Sequence, residues 1–204
     1  MTLSEYNRIY QVAHGVARDV GRAEKGCIFF NCFGAMILNK HYKIPARAVA
    51  GGFALCANDN PEVAFFGQIN GRKVATSSDG FHVWVQTKTH IIDFMAPIYP
   101  EAFADATPKL SIPRKMFQRE IATEAKFLDD LASEGDFFTL PDPGLTERLI
   151  DKFLGRAQNT DLLNVGDVWF GNRRKDQKKT FAMQDDLGKV LELSLPRTVA
   201  VGAW

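Results

Sequence analysis

Residues 27–42 set the strongest constraint on the fold. Phe29, Phe30, Phe33, Met36 and Ile37 make a helix beginning at Cys27 and running to Tyr42 apolar on most of its sides. Such a helix is stable only when other elements cover it nearly all round. Lys43-Ile44-Pro45 ends it, because proline cannot continue the hydrogen-bond ladder and forces its predecessor into an extended conformation. One covering element is predicted upstream. Residues 3–21 carry Tyr6, Ile9, Tyr10, Ala13, Val16, Ala17 and Val20 at three- and four-residue spacing, an apolar stripe on a helix. Thr2 and Glu5 suit a capping box at its start, and Gly21 suits its end.

The other cover is a sheet. Strand-like runs are predicted at Arg47–Ala57, Val63–Ile69, Arg72–Ser77, His82–Thr87 and His90–Met95, separated by short turns such as Asn70-Gly71 and Lys88-Thr89. Short connections imply an antiparallel meander, and Gly51-Gly52 marks a bulge or a close backbone approach. Beyond Pro97 the expectations are a helix over 118–133, an apolar loop at Phe137–Gly144 and a helix over 145–163. A tail follows, containing Val165–Phe170 and a hairpin of Thr180–Gln184 with Lys189–Leu195 across Asp185–Gly188. The chain reads as one α+β domain over residues 1–204, N-terminal helices packed on an antiparallel sheet.

Composition narrows the functional classes. The formal net charge is +1, which gives no bulk electrostatic reason to bind nucleic acid or an anionic membrane. The basic run Arg173-Arg174-Lys175 with Lys178-Lys179 reads as a solvated face. No apolar run approaches the roughly 20 residues of a membrane-spanning helix. Three cysteines are an odd number and make no disulfide framework, so a reduced, cytoplasmic setting is expected. No cofactor is implied. A metal site from Cys27, Cys32 and His82 lacks the short ligand loops of structural zinc.

Chemistry concentrates at three residues. Cys27 opens the apolar helix, where unpaired N–H groups and the positive end of the helix dipole favour a thiolate and a developing oxyanion. The competing reading is a small buried apolar residue. Cys32 lies about 140° round the helix from Cys27, among Phe30, Phe33 and Met36, and reads as core packing. Cys56 also reads as packing. His82, Trp84 and Gln86 share one face of their strand, expected to look at a cleft or solvent, while Val83 and Val85 look at the core. A two-residue turn at Lys88-Thr89 pairs Trp84 with Asp93, making Asp93 a diagonal neighbour of His82 on that face, and a turn at Thr87-Lys88 would set the two directly opposite; either even-length loop keeps both on one face. Asp93 sits between Ile92 and Phe94, where an unpartnered carboxylate is costly. A cysteine, a histidine and an aspartate so placed are a thiol nucleophile, its base and the orienter of that base.

Three blocks resemble, in order, the transglutaminase-like branch of the papain-like cysteine proteinase fold. They are Gly26-Cys27 opening a long apolar helix, Ile44-Pro45-Ala46-Arg47 entering a strand, and His82-Val83-Trp84-Val85 followed by Ile92-Asp93. The chain also resembles a small bacterial family assigned to that fold. The resemblance covers about residues 20–100. It implies a papain-like fold and a Cys27–His82–Asp93 triad that acts on an amide, ester or thioester carbonyl of a small-molecule or peptide acyl substrate. Either hydrolysis or acyl transfer follows. Gln11 and Asn31 are the amides available as oxyanion donors, and Trp84 is the candidate lining of the acyl pocket. The alternative is a binding or assembly domain that retains the fold without turnover.

Overall fold

The computed structural model describes residues 1–20, 23–70, 73–184 and 187–204. Gly21, the glycine of the Asn70-Gly71 turn, Arg72 and the Asp185-Asp186 pair therefore lie outside the described residues.

Helix α1 spans Leu3–Val20 and opens with the expected capping box: Glu5 N–H donates to Thr2 Oγ1, and Thr2 N–H donates to Glu5 Oε2 at 2.9 Å. Helix α2 spans Cys27–Ile37 and is continued by a π-helical turn, Leu38–Tyr42, to the left-handed Lys43. Its apolar rings stack against α1 (Tyr10 on Phe30, with centroids 6.2 Å apart) and lie in the core with Ile9, Ala13 and Val16.

The sheet is antiparallel and six-stranded: β1 (Arg47–Cys56), β2 (Val63–Phe66), β5 (His82–Gln86), β6 (His90–Asp93), β7 (Phe117–Glu120) and β8 (Phe137–Pro141). Two shorter strands, β3 (Gln68–Asn70) and β4 (Lys73–Ala75), form a separate hairpin. The expected meander is corrected here. The run 63–69 breaks at Gly67 (φ 156°), the β3–β4 hairpin leaves the sheet, and β5 returns to pair with β1.

The register around β1 decides the geometry of the site. Residues 53–55 pair with both β2 and β8, which therefore occupy its two edges. Ala50 turns its N–H to Thr146 and its C=O to the Asp142 N–H, away from its β5 partner Val83. So β5 lies opposite β8 and shares an edge of β1 with β2. Along that edge β2 stops at Phe66, opposite Phe53, and β5 starts at His82, opposite Gly51. On the other edge a Cβ at Gly51 would lie 2.1 Å from the Leu140 carbonyl oxygen, so the close approach expected at the glycine pair is real.

Three further expectations are corrected. Residues 118–133 form β7 and two short 3₁₀ turns, not a helix, with Phe117 inward and the following residues progressively exposed. Phe137–Pro141 is strand β8 rather than a loop. Residues 143–170 form two helices, α4 (Pro143–Leu154) and α5 (Ala157–Phe170), so Val165–Phe170 is helical. Asp142 caps α4 by accepting from the Leu145 N–H at 2.8 Å. The expected C-terminal hairpin is present as β9 (Thr180–Gln184) and β10 (Val190–Ser194). No helix among the described residues is long and apolar enough to cross a membrane.

Candidate active site

Helix α2 delivers Cys27 at its first position. Gly26 is its N-cap, and among the described residues no side chain caps the N–H groups of the first turn. Cys27 is 8% exposed, whereas His82 and Asp93 are wholly buried.

Strand β5 supplies His82 and β6 supplies Asp93. Val85 pairs with Ile92 and Gln86 with Ile91, the register of a two-residue turn at Lys88-Thr89. His82 and Asp93 are then diagonal on one face, and His82 Nε2 lies 2.8 Å from Asp93 Oδ2. Of the two outlooks expected for this face of β5, solvent is ruled out by the burial of His82 and Trp84. The face carries Phe53, packed 5.2 Å from the His82 ring and 6.1 Å from Trp84.

A buried carboxylate must be satisfied, and Asp93 accepts four hydrogen bonds. Oδ2 receives His82 Nε2 and the Tyr99 hydroxyl; Oδ1 receives Asn31 Nδ2 at 2.8 Å and the Met95 N–H at 2.9 Å. Burial pushes the pKa of Asp93 up, but His82, Tyr99 and Asn31 outweigh it and hold the carboxyl below its ordinary range. Burial pulls His82 down, yet the attraction and hydrogen bond of Asp93, with a smaller contribution from Cys27, lift it to about 9.

Two buried side-chain nitrogens among the described residues have no hydrogen-bond partner, His82 Nδ1 and Trp84 Nε1. With Nε2 committed to Asp93, Nδ1 is the nitrogen left to exchange a proton, and the Cys27 side chain is a neighbour that acts on this ring. The structure thus brings together Cys27, His82 and Asp93.

The other sequence candidates fall differently. Gln11 donates to the Pro196 carbonyl at 3.0 Å and lines a cavity of about 630 Å³ with Arg8 and residues 173–177, a cavity whose lining includes none of the three. It is not placed to stabilise an oxyanion. Asn31 is beside Cys27 and Asp93, but its amide is already engaged. Continuing the β5–β6 register would set Val83 against Phe94. Instead Asn31 Nδ2 donates to the Val83 carbonyl at 2.6 Å, and Asn31 Oδ1 accepts the Phe94 N–H at 3.0 Å. The carboxamide bridges the two strands where their ladder opens, and it orients Asp93 rather than an oxyanion. Trp84 is fully buried against Phe53 and lines none of the described cavities. Cys32 is half-buried, and burial followed by the neighbouring Cys27 pushes its thiol up to about 12.

Sequence reasoning missed Tyr99. It opens the short helix α3 (Tyr99–Ala102), and its hydroxyl lies 3.1 Å from His82 Nε2 while donating to Asp93. The available signal was a tyrosine six residues after a buried aspartate. It was obscured by Pro97 and Pro100, which read only as chain breaks. No group of three His, Cys, Asp or Glu among the described residues is placed to hold a metal ion.

Comparison with known proteins adds a family and a fold neighbour. The profile of a family described as "Protein of unknown function (DUF2026)" matches residues 2–204. A solved structure named "The crystal structure of genomics APC5867" is 31% identical, with a TM-score of 0.87, and the alignment covers 100% of this chain and 97% of that one. No curated protein matches.

Proposed function

We propose that this chain, which belongs to the DUF2026 family, is a cysteine-dependent hydrolase or acyltransferase with a papain-like, transglutaminase-like architecture. One observation carries the reading. A buried His82–Asp93 pair leaves a single unpartnered imidazole nitrogen, and a cysteine at the uncapped start of a buried helix acts on that same ring. A pair this deep is expensive to bury, and a structural histidine is ordinarily satisfied at both nitrogens.

In this reading His82 Nδ1 takes the Cys27 proton and the thiolate attacks the carbonyl carbon of an amide, ester or thioester. The oxyanion is met by N–H groups of the first turn of α2, which no side chain among the described residues occupies. His82 then returns the proton to the leaving amine, alcohol or thiol as the tetrahedral intermediate collapses. The acyl group, now a thioester on Cys27, passes to water or to an amine. Asp93, fixed by Asn31, Tyr99 and Met95, keeps the imidazole in the tautomer with Nε2 protonated.

The near-complete burial of all three groups favours a second reading, a binding domain that retains the architecture without turnover. Iodoacetamide labelling separates the two. The enzyme reading expects Cys27 to be alkylated at neutral pH far faster than Cys32 and Cys56, and this advantage to be lost in His82→Ala. Uniformly slow labelling at all three cysteines supports the second reading.

A further inference from the structure

The edge that β2 and β5 share on β1 places one more residue at this site. Phe66 ends β2 opposite Phe53, and His82 begins β5 opposite Gly51. Partners across a ladder share a face, and residues 51 and 53 are of the same parity, so Phe66 and His82 project the same way. Their rings stack, with centroids 4.2 Å apart and planes at 27°. Phe103 meets Phe66 edge-on at 4.9 Å, and Tyr99 lies 5.1 Å from it.

Burial runs outward through this stack. His82 and Tyr99 are wholly buried, whereas Phe66 and Phe103 are only half-buried. Phe66 is therefore a cover standing between the imidazole face and the outside. The chain turns away directly behind it. Gly67 adopts φ 156°, and a Cβ there would lie 2.8 Å from Phe65 Cζ, so a side chain is strained at this corner. The β3–β4 hairpin that follows rests on Gly80, whose Cβ would meet Gln68 Cγ at 2.7 Å. Phe66 is the last residue of the edge strand β2, directly before this corner. The stacked contact with the imidazole, together with the edge-on contact of Phe103, holds the cover down in the resting protein.

We infer that Phe66 and Phe103 form the wall of the acyl site and set its specificity: an apolar acyl group displaces Phe66 from the face of His82 and packs against both rings. The inference rests on the thiol-acyl-transfer reading and adds the class of acyl donor, an ester or thioester with an unbranched or aromatic apolar acyl chain. A charged acyl group finds two aromatic rings and no polar partner among those contacts, and pays desolvation for entering.

The test compares wild type, Phe66→Ala, Phe66→Leu and Phe103→Ala, with circular dichroism confirming that each is folded. Cys27 alkylation by iodoacetamide and by the bulkier N-benzylmaleimide is followed by peptide mass spectrometry. Phe66→Ala is expected to raise the N-benzylmaleimide rate about tenfold relative to iodoacetamide, with Phe66→Leu in between. Equal changes for both reagents, or none, overturn the wall. Hydrolysis of p-nitrophenyl acetate, butyrate and hexanoate is the second readout. Wild-type kcat/KM is expected to rise with chain length, and Phe66→Ala to flatten that rise. Size-selective labelling without Cys27-dependent ester hydrolysis keeps the wall and removes the catalytic reading. Cys27-dependent hydrolysis with no chain-length dependence does the reverse.

Discussion

Replacing Asn31 with leucine should be among the most damaging single changes in this chain, although Asn31 touches no substrate in the proposed chemistry. The side chains are close in volume, so little cavity forms and the cost is that of lost hydrogen bonds. Besides the Cys27 carbonyl, 3.2 Å away in the same helix, three buried groups lose a partner: the Val83 carbonyl, the Phe94 N–H and Asp93 Oδ1. The two backbone groups are left without the bridge that replaces their ladder, at about 1–3 kcal/mol each. Asp93 Oδ1 retains the Met95 N–H but loses a charge-assisted bond worth roughly 1.5–3 kcal/mol. Burying leucine in place of the amide returns about 1.5 kcal/mol or more of that. The net expectation is a loss of roughly 3–5 kcal/mol, a large part of the stability of an ordinary domain. Urea unfolding followed by tryptophan fluorescence at pH 7 measures it, provided the denaturant slope is unchanged. Asn31→Asp is the control of mechanism. It keeps an acceptor for the Phe94 N–H but sets a second carboxylate beside Asp93, so one of the two must take up a proton. The new group's pKa is raised on folding. Its penalty is therefore present at high pH and shrinks as pH falls, opposite to the usual acid response. A leucine cost below about 1.5 kcal/mol, or an aspartate cost independent of pH, would show that the bridge does not hold β5 and β6.

Other outcomes follow from the same geometry. The folded His82 pKa of about 9 stands above the unfolded value near 6.5, so its stabilising contribution is complete below pH 6.5 and disappears as pH rises through 9. Asp93 is depressed, so its contribution holds above its unfolded pKa near 4 and fades below that. Stability against urea should therefore fall by up to about 3 kcal/mol between pH 6.5 and 9, and this fall should vanish in Asp93→Asn. Gly51→Ala forces a methyl group against the Leu140 carbonyl and should lower stability by roughly 2–4 kcal/mol in the same assay, with a wild-type urea midpoint refuting it. Arg8 donates to the carbonyls of Phe170, Asn172, Arg173 and Lys175 and to Gln177 Oε1, so Arg8→Ala should free the 171–177 loop. Trypsin cleavage at Arg173 or Arg174 reports that release, and unchanged resistance would show that the loop is held by other contacts.

The parts of this structure that were legible in the sequence are those fixed by a local rule. The apolar helix from Cys27 could be stable only when surrounded, and it is. An even-length turn between β5 and β6 puts His82 and Asp93 on one face whichever two residues make it, and the observed register selects the diagonal arrangement over the directly opposite one. Where two rules overlapped, the reading failed. Ile121, Ala125 and Leu128 fit helical spacing, but Phe117–Glu120 pairs with β6, and the long-range ladder overrides the local pattern. Phe137–Pro141 looked like a loop because prolines follow so closely, yet Pro141 lies at the end of β8, beyond which the chain caps α4. The helix read over 145–163 and the separate run Val165–Phe170 are in fact α4 and α5, with the break at Gly155 and Gly166 inside α5. Gly166 is there because the Phe33 ring lies against it, 2.7 Å from where a Cβ would be.

The surroundings of Asp93 show why the site was only partly readable. Its four donors come from α2, β5, the residue after Phe94 and α3, and no spacing rule connects them. Sequence parity supplied His82, since that pairing is local to one hairpin. Asn31 and Tyr99 were invisible in these roles for different reasons. Asn31 acts where a strand ladder stops, and the stop is a tertiary event caused by the helix itself. Tyr99 acts because proline-bounded turns carry it back over the sheet. A local pattern can therefore place Cys27, His82 and Asp93. The network around Asp93 arises only from how α2 and the turns before α3 pack on the sheet, and the ring over His82 only from how the strands are apportioned along β1. Changing that apportionment, for example by lengthening the connection between Phe66 and His82, should leave Cys27, His82 and Asp93 in place while removing the cover. Size selectivity in Cys27 labelling should then disappear with the His82 dependence intact, and loss of both together would mean that Phe66 holds the base as well as hiding it.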